Sequence, residues 1–131
     1  MSALQTITTI YAAYSRGDMD TGLALCSEDI CFNWPVDGQL SSRAGDATGL
    51  SAMRERLVEL QTTYEFQSFR PFSIVADGER VAARVAMELK HRATGRSLKI
   101  ENAHFWTVRG GKAVELIEYY DTALIRDAER A

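Results

Sequence analysis

An α+β fold, with a curved antiparallel sheet of about four long strands plus a short one wrapped around three N-terminal helices, is predicted by three features of the sequence. Apolar residues recur at intervals of three and four as far as Tyr64, and from Phe66 onward the period changes to two. Turn signals at Asp77-Gly78, Thr94-Gly95 and Gly110-Gly111 then divide the second half into successive hairpins. Helices first and a meander afterwards set the helices against one face of the sheet.

Helix one is carried by Leu4, Ile7, Tyr11 and Tyr14, a stripe that stops at Arg16-Gly17-Asp18. A short second helix is expected from a cap at Asp20 or Thr21 through Leu23 and Leu25 to about Ser27. Ile30 to Val36 reads as a short strand, broken at Pro35 and turning at Asp37-Gly38. Gln39 to Gly49 is rich in Ser, Gly, Asp and Thr without periodicity and is expected to be a mobile loop at a pocket rim. Leu50, Met53, Leu57, Leu60 and Tyr64 then mark helix three, from about Ser51 to Glu65, in a window rich in helix formers. Four antiparallel strands follow, approximately Gln67–Ala76, Arg80–His91, Ser97–Val108 and Lys112–Leu124.

The 131 residues are expected to form one domain over 1–131, large enough to bury a core without staples. With 46% hydrophobic and 25% charged residues, the composition excludes disorder and collagen. The net charge is −3 and the basic residues are dispersed, which argues against a nucleic-acid partner. Met1 to Ser15 carries no charge, but its Thr, Ser and Gln content fits neither a signal peptide nor a membrane span. Cys26 and Cys31 stand alone, suggesting buried thiols in a reducing cytoplasm rather than a zinc site or disulfide framework. No metal site and no cofactor is expected, since the only histidines are His91, at a strand end, and His104.

If Val108 pairs with Lys112 across a three-residue Arg109-Gly110-Gly111 turn, the last hairpin is in register. Trp106 then opposes Val114, His104 opposes Leu116, Asn102 opposes Glu118 and Ile100 opposes Tyr120, all on one face. Lys99, Glu101, Ala103, Phe105, Ile117 and Tyr119 occupy the other. A two-residue turn would instead send Glu118 to the opposite face. The first face combines apolar walls with Asn102, His104 and Glu118, the composition of a small-molecule pocket capable of proton chemistry. A satisfied core histidine with Glu118 as its partner accounts for the same pattern equally well. Helical and strand faces converging on this surface add Tyr14, Trp34, Met53, Leu57, Leu60, Ile100, Trp106, Leu116 and Tyr120 as expected pocket residues.

Nearly the whole chain resembles the cone-shaped α+β superfamily of nuclear transport factor two, ketosteroid isomerases and SnoaL-like polyketide cyclases. The resemblance rests on Tyr14-Ser15-Arg16-Gly17-Asp18, on Gly45, and on Ile100-Glu101-Asn102-Ala103-His104 with Gly111-Lys112 and Glu118-Tyr119-Tyr120-Asp121. The cyclases place an amide, a histidine two residues on and an acid fourteen residues after it. Asn102, His104 and Glu118 keep that spacing, with Asn where Gln is common and Glu where Asp is common. The isomerases fit less well: their aspartate base, tyrosine donor and second aspartate fall near Trp34, Ile10 and His104, and none is kept.

The resemblance implies a cofactor-free acid–base enzyme of isomerase or cyclase type, acting on a small, mostly apolar carbonyl compound. Glu118 or His104 would remove a proton beside the carbonyl, the other would protonate oxygen, and Asn102 would orient it. Tyr14 is a second candidate donor, and Asp37 a substitute base only if its loop folds back. The alternative is a non-catalytic ligand-binding or dimerisation domain whose pocket Trp34, Tyr64, Trp106 and Tyr120 could fill. An epoxide-opening relay would need acids beside Arg84, and the sequence offers no clear ones. The expected partners are a small hydrophobic molecule and a second copy of the chain, paired through the Phe105, Ile117 and Tyr119 face.

Overall fold

The computed structural model describes residues 1–36 and 45–131. Asp37 and the Gln39–Ala44 part of the expected loop lie outside them. Helix α1 (Ala3–Ser15) opens with a reciprocal cap: Ser2 Oγ accepts from Gln5 N at 3.1 Å, and Gln5 Oε1 accepts from Ser2 N at 2.8 Å. Its buried stripe runs through Ile7, Ile10 and Tyr11, while Leu4, expected on that stripe, is exposed. Helix α2 (Met19–Ala24) is capped by Asp18, which accepts from the backbone and hydroxyl of Thr21.

Strand β1 (Cys26–Trp34) is longer than expected and begins directly after α2. Gly45–Thr48, expected as loop, forms strand β2, paired antiparallel to β1 with Trp34 opposite Gly45. Helix α3 (Leu50–Thr63) ends two residues before the expected boundary, because Tyr64 is already extended (φ −123°, ψ 141°) and buried. Strands β3 (Tyr64–Asp77), β4 (Arg80–His91) and β5 (Ser97–Arg109) lie close to the expected spans.

Strand β6 stops at Tyr119 (Lys112–Tyr119), and the last three residues of the expected strand instead open helix α4 (Thr122–Glu129), which runs on past its expected end. The physical reason is Asp121, whose carboxylate accepts from Ala123 N and Leu124 N and starts a helix.

The six strands are ordered β2-β1-β6-β5-β4-β3, with β1 running parallel to β6 and every other pair antiparallel. Bulges in β3 between Phe66 and Ser68 and between Phe72 and Val75 bend the far edge. The resulting curve holds α1 and α3 on its concave side. Alternate residues of β4 and β5 point inward: Val81, Ala83, Val85 and Met87 from one, Ile100, Asn102, His104 and Trp106 from the other. The sheet is thus curved and unclosed, the cone shape expected.

Candidate active site

The last hairpin departs from the expected register in an instructive way. Arg109 pairs with Lys112 across the two-residue turn Gly110-Gly111, which alone would turn Glu118 outward. A bulge then intervenes: Val108 pairs with Ala113, but Thr107 pairs with Glu115, so Val114 has no partner of its own. The extra residue restores the face. His104 sits directly opposite Glu118 and Trp106 opposite Leu116, not opposite Leu116 and Val114 as expected. Val114 itself leaves the inner face and joins Cys31 and Arg80 along an outer surface groove.

Between the concave sheet and the helices lies a cavity of about 140 Å³. Tyr14, Trp34, Met53, Leu57, Leu60, Ile100, Trp106, Leu116 and Tyr120 all line it, as do Asn102, His104 and Glu118. Ile125 of α4 adds a wall from just beyond the end of the expected last strand. Only Arg56 and Glu118 among the lining residues are ordinarily charged, and the surface is otherwise almost entirely hydrocarbon and aromatic.

The polar groups form one connected chain across this wall. Trp106 donates its indole N–H to the Tyr11 hydroxyl at 2.8 Å, and the same hydroxyl lies 2.8 Å from His104 Nδ1. His104 Nε2 is hydrogen-bonded to Glu118 Oε2, and Asn102 Nδ2 donates to that oxygen at 3.3 Å. The side chains of His104 and Glu118 are 7% and 12% exposed, so each is satisfied mainly by this network. An amide oriented with its nitrogen toward Glu118 is the arrangement a carboxylate favours. Asn102 therefore holds Glu118 through its amide nitrogen.

Burial pushes the Tyr11 hydroxyl well above the usual tyrosine range; the Trp106 bond opposes that rise and the Glu118 charge adds to it. Burial likewise lifts Tyr14 to about 12, against a lowering hydrogen bond from Gln61 and with a further rise from Glu118. Both keep their protons as hydrogen-bond donors. The sequence reading placed Tyr11 on the buried stripe but gave it no site role; a phenol on the buried face of α1 was the available signal. It also passed over Arg56, whose guanidinium stacks on Phe32 at 4.9 Å and on Trp34 at 4.8 Å.

The remaining candidates lie away from this chemistry. Arg84 does have an acid neighbour, donating to Glu101 at 2.6 Å, but on the outer face of the sheet. His91 is buried against Tyr64 and bonded to Thr94. Asp121 caps α4. Cys26 is buried as expected, whereas Cys31 is exposed, because it lies on the outward-facing side of β1. No helix of the described residues is long and apolar enough to cross a membrane. Among those residues no cluster of three or more His, Cys, Asp or Glu could hold a metal ion.

Among curated proteins the chain finds no match. Solved structures resemble it over almost its whole length. An NTF2-like protein of unknown function from Burkholderia pseudomallei is 24% identical with TM-score 0.89, covering 100% of both chains. An NTF2-like protein from Burkholderia xenovorans is 29% identical with TM-score 0.82, covering 98% of this chain and 95% of its own. A candidate polyketide cyclase from Pseudomonas putida is 23% identical with TM-score 0.80, covering 98% of both. The SnoaL-like domain model matches residues 7–116, a stretch that holds most of α1, His104 and all of the cavity lining except Glu118, Tyr120 and Ile125, and the chain belongs to that SnoaL-like family.

Proposed function

We propose that the cavity is the active site of a cofactor-free acid–base enzyme, of isomerase or cyclase type, for a small and mostly apolar carbonyl compound. The observation that carries this reading is the Glu118 carboxyl group in a hydrocarbon-walled cavity, with its two polar neighbours, His104 Nε2 and Asn102 Nδ2, both on a single oxygen. His104 and Asn102 both engage Oε2, so Oε1 of Glu118 is the oxygen left to accept a proton from carbon. Taking that proton leaves the substrate as an enolate and Glu118 as a neutral acid. The Tyr14 hydroxyl, which keeps its proton and lines the same cavity, is the donor for the enolate oxygen. Returning the proton to another carbon completes an isomerisation; attack of the enolate carbon on a second carbonyl of the same molecule, whose oxygen then takes the proton from Glu118, completes a cyclisation and restores the carboxylate.

The same apolar walls also suit a ligand-binding domain without catalysis, and one substitution separates the readings. Glu118→Gln keeps the side-chain shape while removing the base. Deuterium uptake from D₂O beside the carbonyl of a panel of apolar ketones and diketones, followed by NMR, should proceed with the native protein. It should slow roughly 10²–10⁴-fold in Glu118→Gln, with a nearly unchanged melting temperature. Ligands that bind without exchange, together with a clear fall in melting temperature for the variant, would establish the binding reading instead.

A further inference from the structure

The proton shared by His104 and Glu118 has two possible arrangements that carry the same net charge. In one, the imidazole proton sits on Nε2, the ring donates to a Glu118 carboxylate, and Nδ1 accepts from Tyr11. In the other, Glu118 is a neutral acid donating to Nε2, and the ring proton on Nδ1 points at Tyr11. Heavy-atom positions are compatible with both.

Trp106 breaks the tie. An indole N–H can only donate, and at 2.8 Å it donates to the Tyr11 oxygen. In the first arrangement the Tyr11 hydroxyl accepts from Trp106 and donates to His104 Nδ1, so every proton in the chain has an acceptor. In the second, the Tyr11 oxygen receives two N–H groups and its own proton has no acceptor within this network. An orphaned donor in a buried site is costly, and Tyr11 is only 4% exposed. Tyr11 also does not escape by losing its proton, since burial holds it firmly in the neutral form.

We infer that Trp106 and Tyr11 are positioning residues that fix His104 as the Nε2–H tautomer and thereby hold Glu118 as a carboxylate. Neither residue needs to touch a substrate to do this. The assignment deepens the acid–base reading, because a Glu118 that is already deprotonated is ready to act as a base. The tautomer itself is a property of the ligand-free protein.

The test is therefore made without substrate. Long-range ¹H–¹⁵N correlation of histidine-labelled protein at neutral pH distinguishes a protonated ring nitrogen from an accepting one. Only His91 and His104 contribute signals, and His91→Gln assigns them. The expected result is a proton on Nε2 of His104 with Nδ1 as a hydrogen-bonded acceptor. In Trp106→Phe the Tyr11 hydroxyl is released from its obligatory donor, and the two ring-nitrogen signals should move toward each other as both arrangements become populated. In Tyr11→Phe the Nδ1 signal should shift to that of an acceptor with no bond. A proton on Nδ1 in the native protein, or native signals unchanged in both variants, would overturn the assignment. The native spectrum alone decides the tautomer if a variant does not fold. Loss of ketone exchange with the tautomer intact would count against the enzyme reading only.

Discussion

His104 and Glu118 face each other directly across β5 and β6 because one residue, Val114, is bulged out of the ladder between them and the turn. The Gly110-Gly111 turn is one residue shorter than the sequence reading assumed, which shifts the pairing by one residue, and the bulge shifts it by one more in the same direction. The combined shift of two keeps the face but not the register, so Glu118 meets His104 rather than Asn102. A histidine and a carboxylate that would have been diagonal neighbours become a bonded pair.

The turn should be the sensitive point of this arrangement. Gly110 and Gly111 both have positive φ, 58° and 77°, the pair of left-handed residues that a two-residue hairpin of matching twist requires. A Cβ at Gly111 would meet nothing within 4 Å, so the cost of Gly111→Ala is conformational rather than steric crowding. The expected loss is about 1–2 kcal/mol, read from the denaturant midpoint. Gly111→Asn should lose less, because asparagine tolerates that conformation. An alanine variant as stable as the native protein would show that the turn changes type.

Which parts of this could be read from the sequence follows from how local their causes are. The β4 and β5 spans and their inner face depend on alternation over a dozen residues, and Ile100, Asn102, His104 and Trp106 all point inward as expected. Strand β2 was not legible because Gly45–Thr48 is four residues long and is held by pairing with β1 across a chain excursion. Helix α4 was hidden because Tyr120, Leu124 and the residues between continue a plausible strand; only Asp121 as a cap marks the change. The Tyr11 network joins residues 93 and 95 positions apart, beyond the reach of any periodicity. Most helix and strand faces follow from short-range periodicity, but Leu4 and Val114 fall on the face opposite to the expected one.

The two cysteines should differ sharply in reactivity. Cys31 is exposed, whereas Cys26 is 5% exposed with its thiol directed at the Gly22 carbonyl. Burial pushes the Cys26 thiol up to about 11, with Lys112 pulling weakly the other way. At pH 8 its thiolate fraction is then about 10⁻³, before access is considered. Native protein treated with a maleimide should label once, quickly, and a second time only on unfolding; Cys31→Ser should remove the fast phase. Two equal fast phases would contradict this placement of β1.

The outer face of the sheet carries the last expectation, a homodimer. Phe105 and Tyr119 pack edge to face at 6.0 Å, yet remain 47% and 48% exposed, and the described helices that pack on the sheet lie on its other side. Ion pairs surround them: Arg84 with Glu101, and Lys99 with Glu88. Alternating charges around an apolar centre suit a two-fold partner, because each basic group of one copy can meet an acidic group of the other. A surface of one sign would favour a different kind of partner. Such a patch is costly to leave in water at about 25 cal/mol per Å² of apolar surface. Light scattering at micromolar concentration should therefore give twice the mass of one chain. Phe105→Glu sets a charge at the centre of the patch in both copies at once, so it should shift the protein to monomer while leaving the cavity network on the opposite face intact. The His104 imidazole signals provide that control. A native protein that is monomeric throughout this range would rule the dimer out, and a Phe105→Glu variant that remains dimeric would move the interface to another surface.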